Sequence, residues 1–145
     1  MSKTTAYPAF LQGNADRVRV LIVSGASAGH LYPALALAQC LKKRNPCLDI
    51  VFTTSKREEL YHRIKEEGFK LFFISIVNFR FGFVRLLKAF YLFIKSFFES
   101  FLIIEKFRPD VVVGFGSYIS FPVLLEASFL KKPTIIHEQN ASLGI

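Results

Sequence analysis

The sequence predicts an α/β fold built on an open parallel sheet, and three observations carry that prediction. Five short β-branched runs alternate with four segments of helical apolar density, each of the first four strands leads into a helix, and two of the strands end in glycine-containing loops. This alternation implies right-handed βαβ crossovers, which line up the carboxyl ends of the strands along one edge. Ligands of such sheets sit beyond that edge, near the switch in strand order. At 145 residues the chain has the length of one domain, and no internal repeat or low-complexity linker divides it.

The elements follow in order. Val18 to Val23 is a β-branched run ending in the turn-forming Ser24-Gly25, and His30 to Arg44 has the apolar spacing of a helix. Pro33 is expected in the first turn of that helix, where its missing N–H has no intrahelical partner, and Asn45-Pro46 closes it. Asp49 to Thr54 reads as a second strand, Lys56 to Glu67 as a charged surface helix stopped by Gly68, and Phe69 to Val77 as a third strand. After a turn at Asn78 to Gly82 comes the long segment Phe83 to Phe107. Pro109 to Gly114 is then a buried strand, Tyr118 to Leu130 a helix, and Pro133 to His137 the fifth strand. Residues 1–17 lack the apolar core of a secretory signal and are expected to be a flexible leader ahead of a domain spanning 18–145.

Composition limits the partners. With 52% apolar residues and a mean hydropathy of +0.36, the chain has the material for a core and is not an intrinsically disordered polypeptide. Nineteen Lys and Arg against 11 Asp and Glu give a net charge of +8, which favours phosphate-bearing partners such as nucleic acid, an anionic membrane, or a nucleotide or lipid diphosphate. Nucleic acid is the weakest of these, because the cations are interleaved with apolar residues and no recognition motif appears. Cys40 and Cys47 have neither CxxC spacing nor a His-rich neighbourhood, so no metal site or disulfide framework is expected.

The chemistry is concentrated in three strand ends. Gly25-Ala-Ser-Ala-Gly-His30 follows the first strand and opens the first helix, where free N–H groups and the positive end of the helix dipole attract a phosphate. The spelling is neither GxGxxG nor a P-loop, and Thr53-Thr54 ends the second strand without the acidic residue that holds a ribose. An NADP-binding reading therefore rests only on Lys56 and Arg57, and small residues that merely allow close helix–strand packing are another reading of the loop. His30 lies near a helix start, whose dipole disfavours the imidazolium. A neutral ring there can act as general base on a hydroxyl nucleophile, or serve simply as a surface or capping residue. Gly114-Phe-Gly-Ser-Tyr-Ile-Ser120 repeats the arrangement at the fourth strand. His137-Glu-Gln-Asn140 ends the fifth with four consecutive hydrogen-bonding side chains, of which alternation lets only some face one side.

The chain has 17 Phe and no Trp, and most of the Phe lie between Phe69 and Phe121. In the segment from Arg80 to Phe107, Arg85, Lys88, Lys95, Glu99 and Lys106 form a narrow polar stripe on a wheel otherwise covered by apolar residues. That apolar surface exceeds the stripe of about 100° that one sheet face needs. It is expected to lie either against an anionic bilayer, with Arg80, Phe83, Arg85, Phe90 and Phe97 as contacts, or under a partner domain or second copy. The charges Lys88, Lys95 and Glu99 argue against a spanning helix.

These three strand ends resemble the MurG-type peptidoglycan glycosyltransferases of glycosyltransferase family 28. The family's GGTGGH followed by xxPALA is similar to Gly25-Ala-Ser-Ala-Gly-His30 followed by Leu31-Tyr-Pro-Ala-Leu-Ala36. PDVVxGxGGYxSxP is similar to Pro109 through Pro122, and HEQN stands intact at His137 to Asn140. The resemblance covers the N-terminal domain only. It implies a Rossmann-like half of a GT-B fold, and transfer of N-acetylglucosamine from UDP-N-acetylglucosamine to lipid I, with inversion, to make lipid II at the cytoplasmic face of the plasma membrane. Carried over by position, His30 is the implied base, and Gly25, Ser27, Gly29, Gly114, Gly116 and Ser117 the implied diphosphate cradle. Tyr118, His137, Glu138 and Asn140 become crevice residues. No metal or cofactor is implied, whereas a donor-binding domain or partner chain is. Ala26, Ser27, Ala28, Ser117 and Phe121 depart from the family pattern, and the added Cβ atoms crowd an approaching phosphate. A non-catalytic remnant, or a membrane-surface binding module of the same fold, is the alternative.

Overall fold

The computed structural model of the chain describes residues 17–25, 27–56, 58–75 and 83–138, with 58–61 and 83–88 described by their backbone. The expected leader therefore lies outside the described residues apart from Arg17, as does the turn at Asn78 to Gly82. Nine elements follow in order: β1 (Arg19–Ser24), α1 (Ala28–Arg44), β2 (Asp49–Thr54), α2 (Glu58–Glu66), β3 (Lys70–Phe73), α3 (Phe83–Phe107), β4 (Val111–Phe115), α4 (Ser117–Phe129) and β5 (Thr134–Ile136). The sheet is parallel throughout, in the order β3-β2-β1-β4-β5.

Alternation along β1 explains the two-layered core. Val20 and Ile22 face Leu31, Ala34, Leu35 and Ala38 of α1 and Ile64 of α2, whereas Leu21 and Val23 face Ile103 and Ile104 of α3 and Ile119, Val123 and Ala127 of α4. Both faces of the central strands are thus covered, which is why β1 and β2 read as continuous apolar runs. At the opposite edge from the glycine loops, Arg19 and Asp110 join the starts of β1 and β4. The Arg19 N–H donates to Asp110 Oδ2 at 2.8 Å, and the Asp110 N–H donates to the Arg19 carbonyl at 2.9 Å.

The helix ends follow from local chemistry. Gly68, at φ +78°, ends α2 in a Schellman turn, with Phe69 N–H donating to the Ile64 carbonyl and Gly68 N–H to that of Lys65. Among the described residues no heavy atom stands near where a Gly68 Cβ would be, so the backbone conformation alone calls for glycine there. Helix α1 begins two residues earlier than expected, at Ala28, which corrects the placement of Pro33. It is the sixth helical residue, past the first turn, and has no N–H to give to the Gly29 carbonyl. Pro122 occupies the equivalent place in α4. Strand β3 is shorter than expected and ends at Phe73. Beyond it Ser75 is taken up by α3, with its N–H and hydroxyl donating to the Glu99 carboxylate at 2.6 and 2.9 Å.

Candidate functional site

β1 and β4 are neighbours in the sheet but are separated in sequence by β2 and β3, so the order of the chain reverses between them. The loops leaving these two strands open onto that switch point. Ser24 pairs with Phe115, so Gly25 and Gly116 leave the sheet side by side. Two helices start there, and neither is closed by a side chain. Ser27, the extended N-cap residue of α1, makes no capping hydrogen bond, Gly116 has no side chain to offer α4, and neither first turn contains an acidic residue. First-turn N–H groups left in this way, together with the positive dipole ends, favour an anion.

His30 stands between the two loops. A Cβ on Gly25 would lie 2.6 Å from His30 Cδ2 and 2.5 Å from Ser117 Cβ, and one on Gly116 would lie 3.2 Å from His30 Cε1 and 3.4 Å from Nδ1. Glu138 Oε2 lies 3.9 Å from that same point above Gly116. The imidazole therefore occupies a slot between two main chains that only glycines leave open. Gly116 adopts φ +66°, and Ser117 after it adopts φ +71°, a conformation that costs a Cβ-bearing residue about 1–2 kcal/mol.

The fold thus brings together Gly25, His30, Gly116, Ser117 and Glu138. Ser27 and Gly29 lie exposed at the start of α1, and Tyr118 is exposed in the first turn of α4. Gly114 is placed differently from the expectation of a cradle. It lies buried within β4, and a Cβ there would stand 2.6 Å from Leu124 Cδ1, so its bareness serves the packing of α4 on the sheet. The His137 N–H donates to the Gly114 carbonyl at 2.8 Å, and its ring lies 5.0 Å from that of Phe115, which ties the end of β5 to β4. Asn140 and Arg80 lie outside the described residues, and Phe83 and Arg85 are described by backbone only.

Helix α3 buries small serines beside Ile103 and Ile104 and carries several large apolar side chains on its exposed face. Ser96 and Ser100 are buried and return their hydroxyls to the backbone carbonyls of Phe93 and Ser96, while Phe90, Tyr91, Ile94, Phe98 and Leu102 are exposed, Phe98 by 63%. Lys95 pairs with Glu99 at 3.7 Å, and Lys106 lies over the Phe72 ring, so much of the polar stripe turns toward β3. Phe90 faces outward as expected. Phe97 is half-buried, its ring packing on Phe93 at 4.9 Å and on Phe121 at 6.5 Å beside the buried serine face.

Sequence reasoning missed one feature. Thr53, Thr54 and Ser55 are buried at the carboxyl end of β2, and their hydroxyl oxygens have no hydrogen-bond partner among the described residues. Thr53 pairs with Val23, which sets Thr54 and Ser55 level with Ser24 and Gly25. Three consecutive hydroxyls at a strand end are the signal that could have found them. Among the described residues no three His, Cys, Asp or Glu side chains gather as metal ligands.

Residues 20–145 match the glycosyltransferase family 28 N-terminal domain. The chain belongs to this family. This family 28 domain is 40% identical over 129 residues to the UDP-N-acetylglucosamine--N-acetylmuramyl-(pentapeptide) pyrophosphoryl-undecaprenol N-acetylglucosamine transferase of Carboxydothermus hydrogenoformans. It is 44% identical over 130 residues to the transferase of the same name from Thermodesulfovibrio yellowstonii. Each alignment covers 88% of this chain and 35% of the relative, so the chain spans about a third of the length of the curated relatives it matches. The crystal structure of Acinetobacter baumannii MurG superposes with a TM-score of 0.76 at 29% identity, covering 88% of this chain and 37% of that one.

Proposed function

We propose that this family 28 domain is the acceptor-binding half of an inverting N-acetylglucosaminyltransferase that passes N-acetylglucosamine from UDP-N-acetylglucosamine to the 4-hydroxyl of the muramyl sugar of lipid I, giving lipid II for peptidoglycan. The observation that carries the reading is the slot at the switch point, where an imidazole stands between two helix N-termini that no side chain caps. The anionic diphosphate of lipid I suits those termini, with Ser27, Gly29 and Tyr118 at the rim. His30 Nε2 takes the proton of the acceptor hydroxyl as its oxygen bonds to C1 of the donor sugar. The bond from C1 to the diphosphate breaks on the opposite face, UDP leaves, and the configuration inverts. The reading calls for no cofactor in this half, since the helix termini themselves meet the charge of the acceptor diphosphate.

A donor-binding domain, or a partner chain supplying one, is required, because half a crevice neither orients UDP-N-acetylglucosamine nor excludes water from it. The chain alone is therefore inactive. The outward apolar face of α3, on a chain of net charge +8, suits the headgroup region of an anionic membrane, with the enzyme lying on its cytoplasmic face. Among the described residues no helix is long and apolar enough to cross one.

One observation favours a second reading, a remnant that binds without turnover. Ser117 places a strained, side-chain-bearing residue where the slot is tightest. Joining the chain to the remaining two-thirds of the Carboxydothermus hydrogenoformans relative, and assaying labelled UDP-N-acetylglucosamine with a lipid I analogue, separates the two. Lipid II formation that falls at least about 100-fold in His30→Ala is expected. Lipid I binding without product selects the remnant, and product formation indifferent to His30→Ala removes the base.

A further inference from the structure

The slot holds His30 by its edges, and the two edges meet different chemistry. Its Cδ2 side faces Gly25 and the Ser117 side chain, whereas its Cε1–Nδ1 side faces Gly116, and Glu138 Oε2 lies 3.9 Å from the same point above Gly116. Nε2, between Cε1 and Cδ2 in the ring, is left between the two glycine backbones. A neutral imidazole carries one proton, and the nitrogen that keeps it decides which nitrogen can accept another. Neither His30 nor Glu138 is without a partner, and Glu138 is carried to the slot by the short link from β5, which the His137 N–H ties to Gly114.

We propose that Glu138 is the positioning residue of His30: its carboxylate accepts the Nδ1–H and thereby holds the neutral ring in the tautomer whose Nε2 carries the lone pair that accepts from an acceptor hydroxyl. The inference deepens the transferase reading and rests on it for the reaction, while the tautomer itself can be read without substrate. Glu138 touches no reacting atom and acts through His30 alone. Its contribution grows when the imidazolium forms, because the carboxylate then faces a full positive charge. The two glycines serve the same arrangement, since a Cβ on Gly25 would collide with the ring and one on Gly116 would crowd it.

Nitrogen-15 NMR of the imidazole rings of the chain tests this at about pH 8.5, where histidine side chains are largely neutral. The chain has three histidines, and loss of one set of ring signals in His30→Gln assigns His30. The unsubstituted chain is expected to show Nδ1 bearing the proton and Nε2 unprotonated. Glu138→Ala should shift His30 toward the Nε2–H tautomer, and Glu138→Gln, whose amide oxygen still accepts, should restore the original form. An Nε2–H tautomer in the unsubstituted chain overturns the proposal, as does an unchanged tautomer in Glu138→Ala with the amide spectrum of β1 and β4 intact. Should Glu138→Ala fail to fold, the unsubstituted chain and Glu138→Gln decide: both must hold Nδ1–H. An Nδ1–H form that is lost in Glu138→Ala, in a chain that binds no lipid I, keeps the positioning and discards the transferase reading.

Discussion

At the scale of single residues, the crevice is shaped by where a Cβ is missing and where one is present. Gly25 is bare because Ser117 and His30 fill its space, and Ser117 itself stands at φ +71°. Replacing Ser117 with glycine removes both the conformational strain and the crowding, and should stabilise the domain by about 1 kcal/mol. Thermal melting should show this as a rise in Tm of a few degrees, and a lowered Tm would mean that the Ser117 side chain contributes more than its strain costs. The close approaches at Gly25 and Gly116 were legible in the sequence, because a glycine between a strand and a helix marks a backbone that turns sharply or is closely approached. Their division of labour was not. Which glycine clears space for His30 and which for Leu124 depends on contacts between loops far apart in the chain, which local patterns cannot carry.

At the scale of elements, nearly every strand and helix was legible from apolar periodicity and from Gly and Pro punctuation, and β2 and α3 match their expected limits. The orientation of α3 was hidden, because a wheel that is apolar almost all round does not say which part faces the sheet. The buried face is chosen by small Ser96 and Ser100, which let the helix approach, and by Glu99, which holds the backbone beyond β3 through Ser75. Glu99→Ala should therefore destabilise the domain by about 1–3 kcal/mol in chemical denaturation, although the sequence shows this position only as one member of the polar stripe. A change below about 0.5 kcal/mol would show that the anchor contributes nothing. The outward aromatics should behave in the opposite way. Phe98→Lys should leave Tm within about 2 °C of the parent, since this side chain is mostly exposed, yet reduce co-flotation with anionic vesicles several-fold. Phe97→Ala should lower Tm with vesicle binding retained, because its ring packs on Phe93 and Phe121. Equal, negligible flotation of the parent chain on anionic and neutral vesicles would remove the membrane from the account.

At the scale of the whole molecule, the strand order β3-β2-β1-β4-β5 makes β1 and β4 neighbours, and so sets two helix N-termini and one imidazole at a single opening. A parallel sheet was legible in the alternation of elements, and the switch point follows from the order of its strands. The chain spans about a third of the length of its curated relatives, and the central claim is that this third holds the acceptor. The most direct measurement is an amide NMR titration of the chain with a soluble lipid I analogue and, separately, with UDP-N-acetylglucosamine. The account predicts shifts at Gly25, Gly29, Gly116, Ser117 and Tyr118 with the lipid I analogue and little change there with the nucleotide sugar. Shifts at those residues from UDP-N-acetylglucosamine, with none from the lipid I analogue, would contradict it.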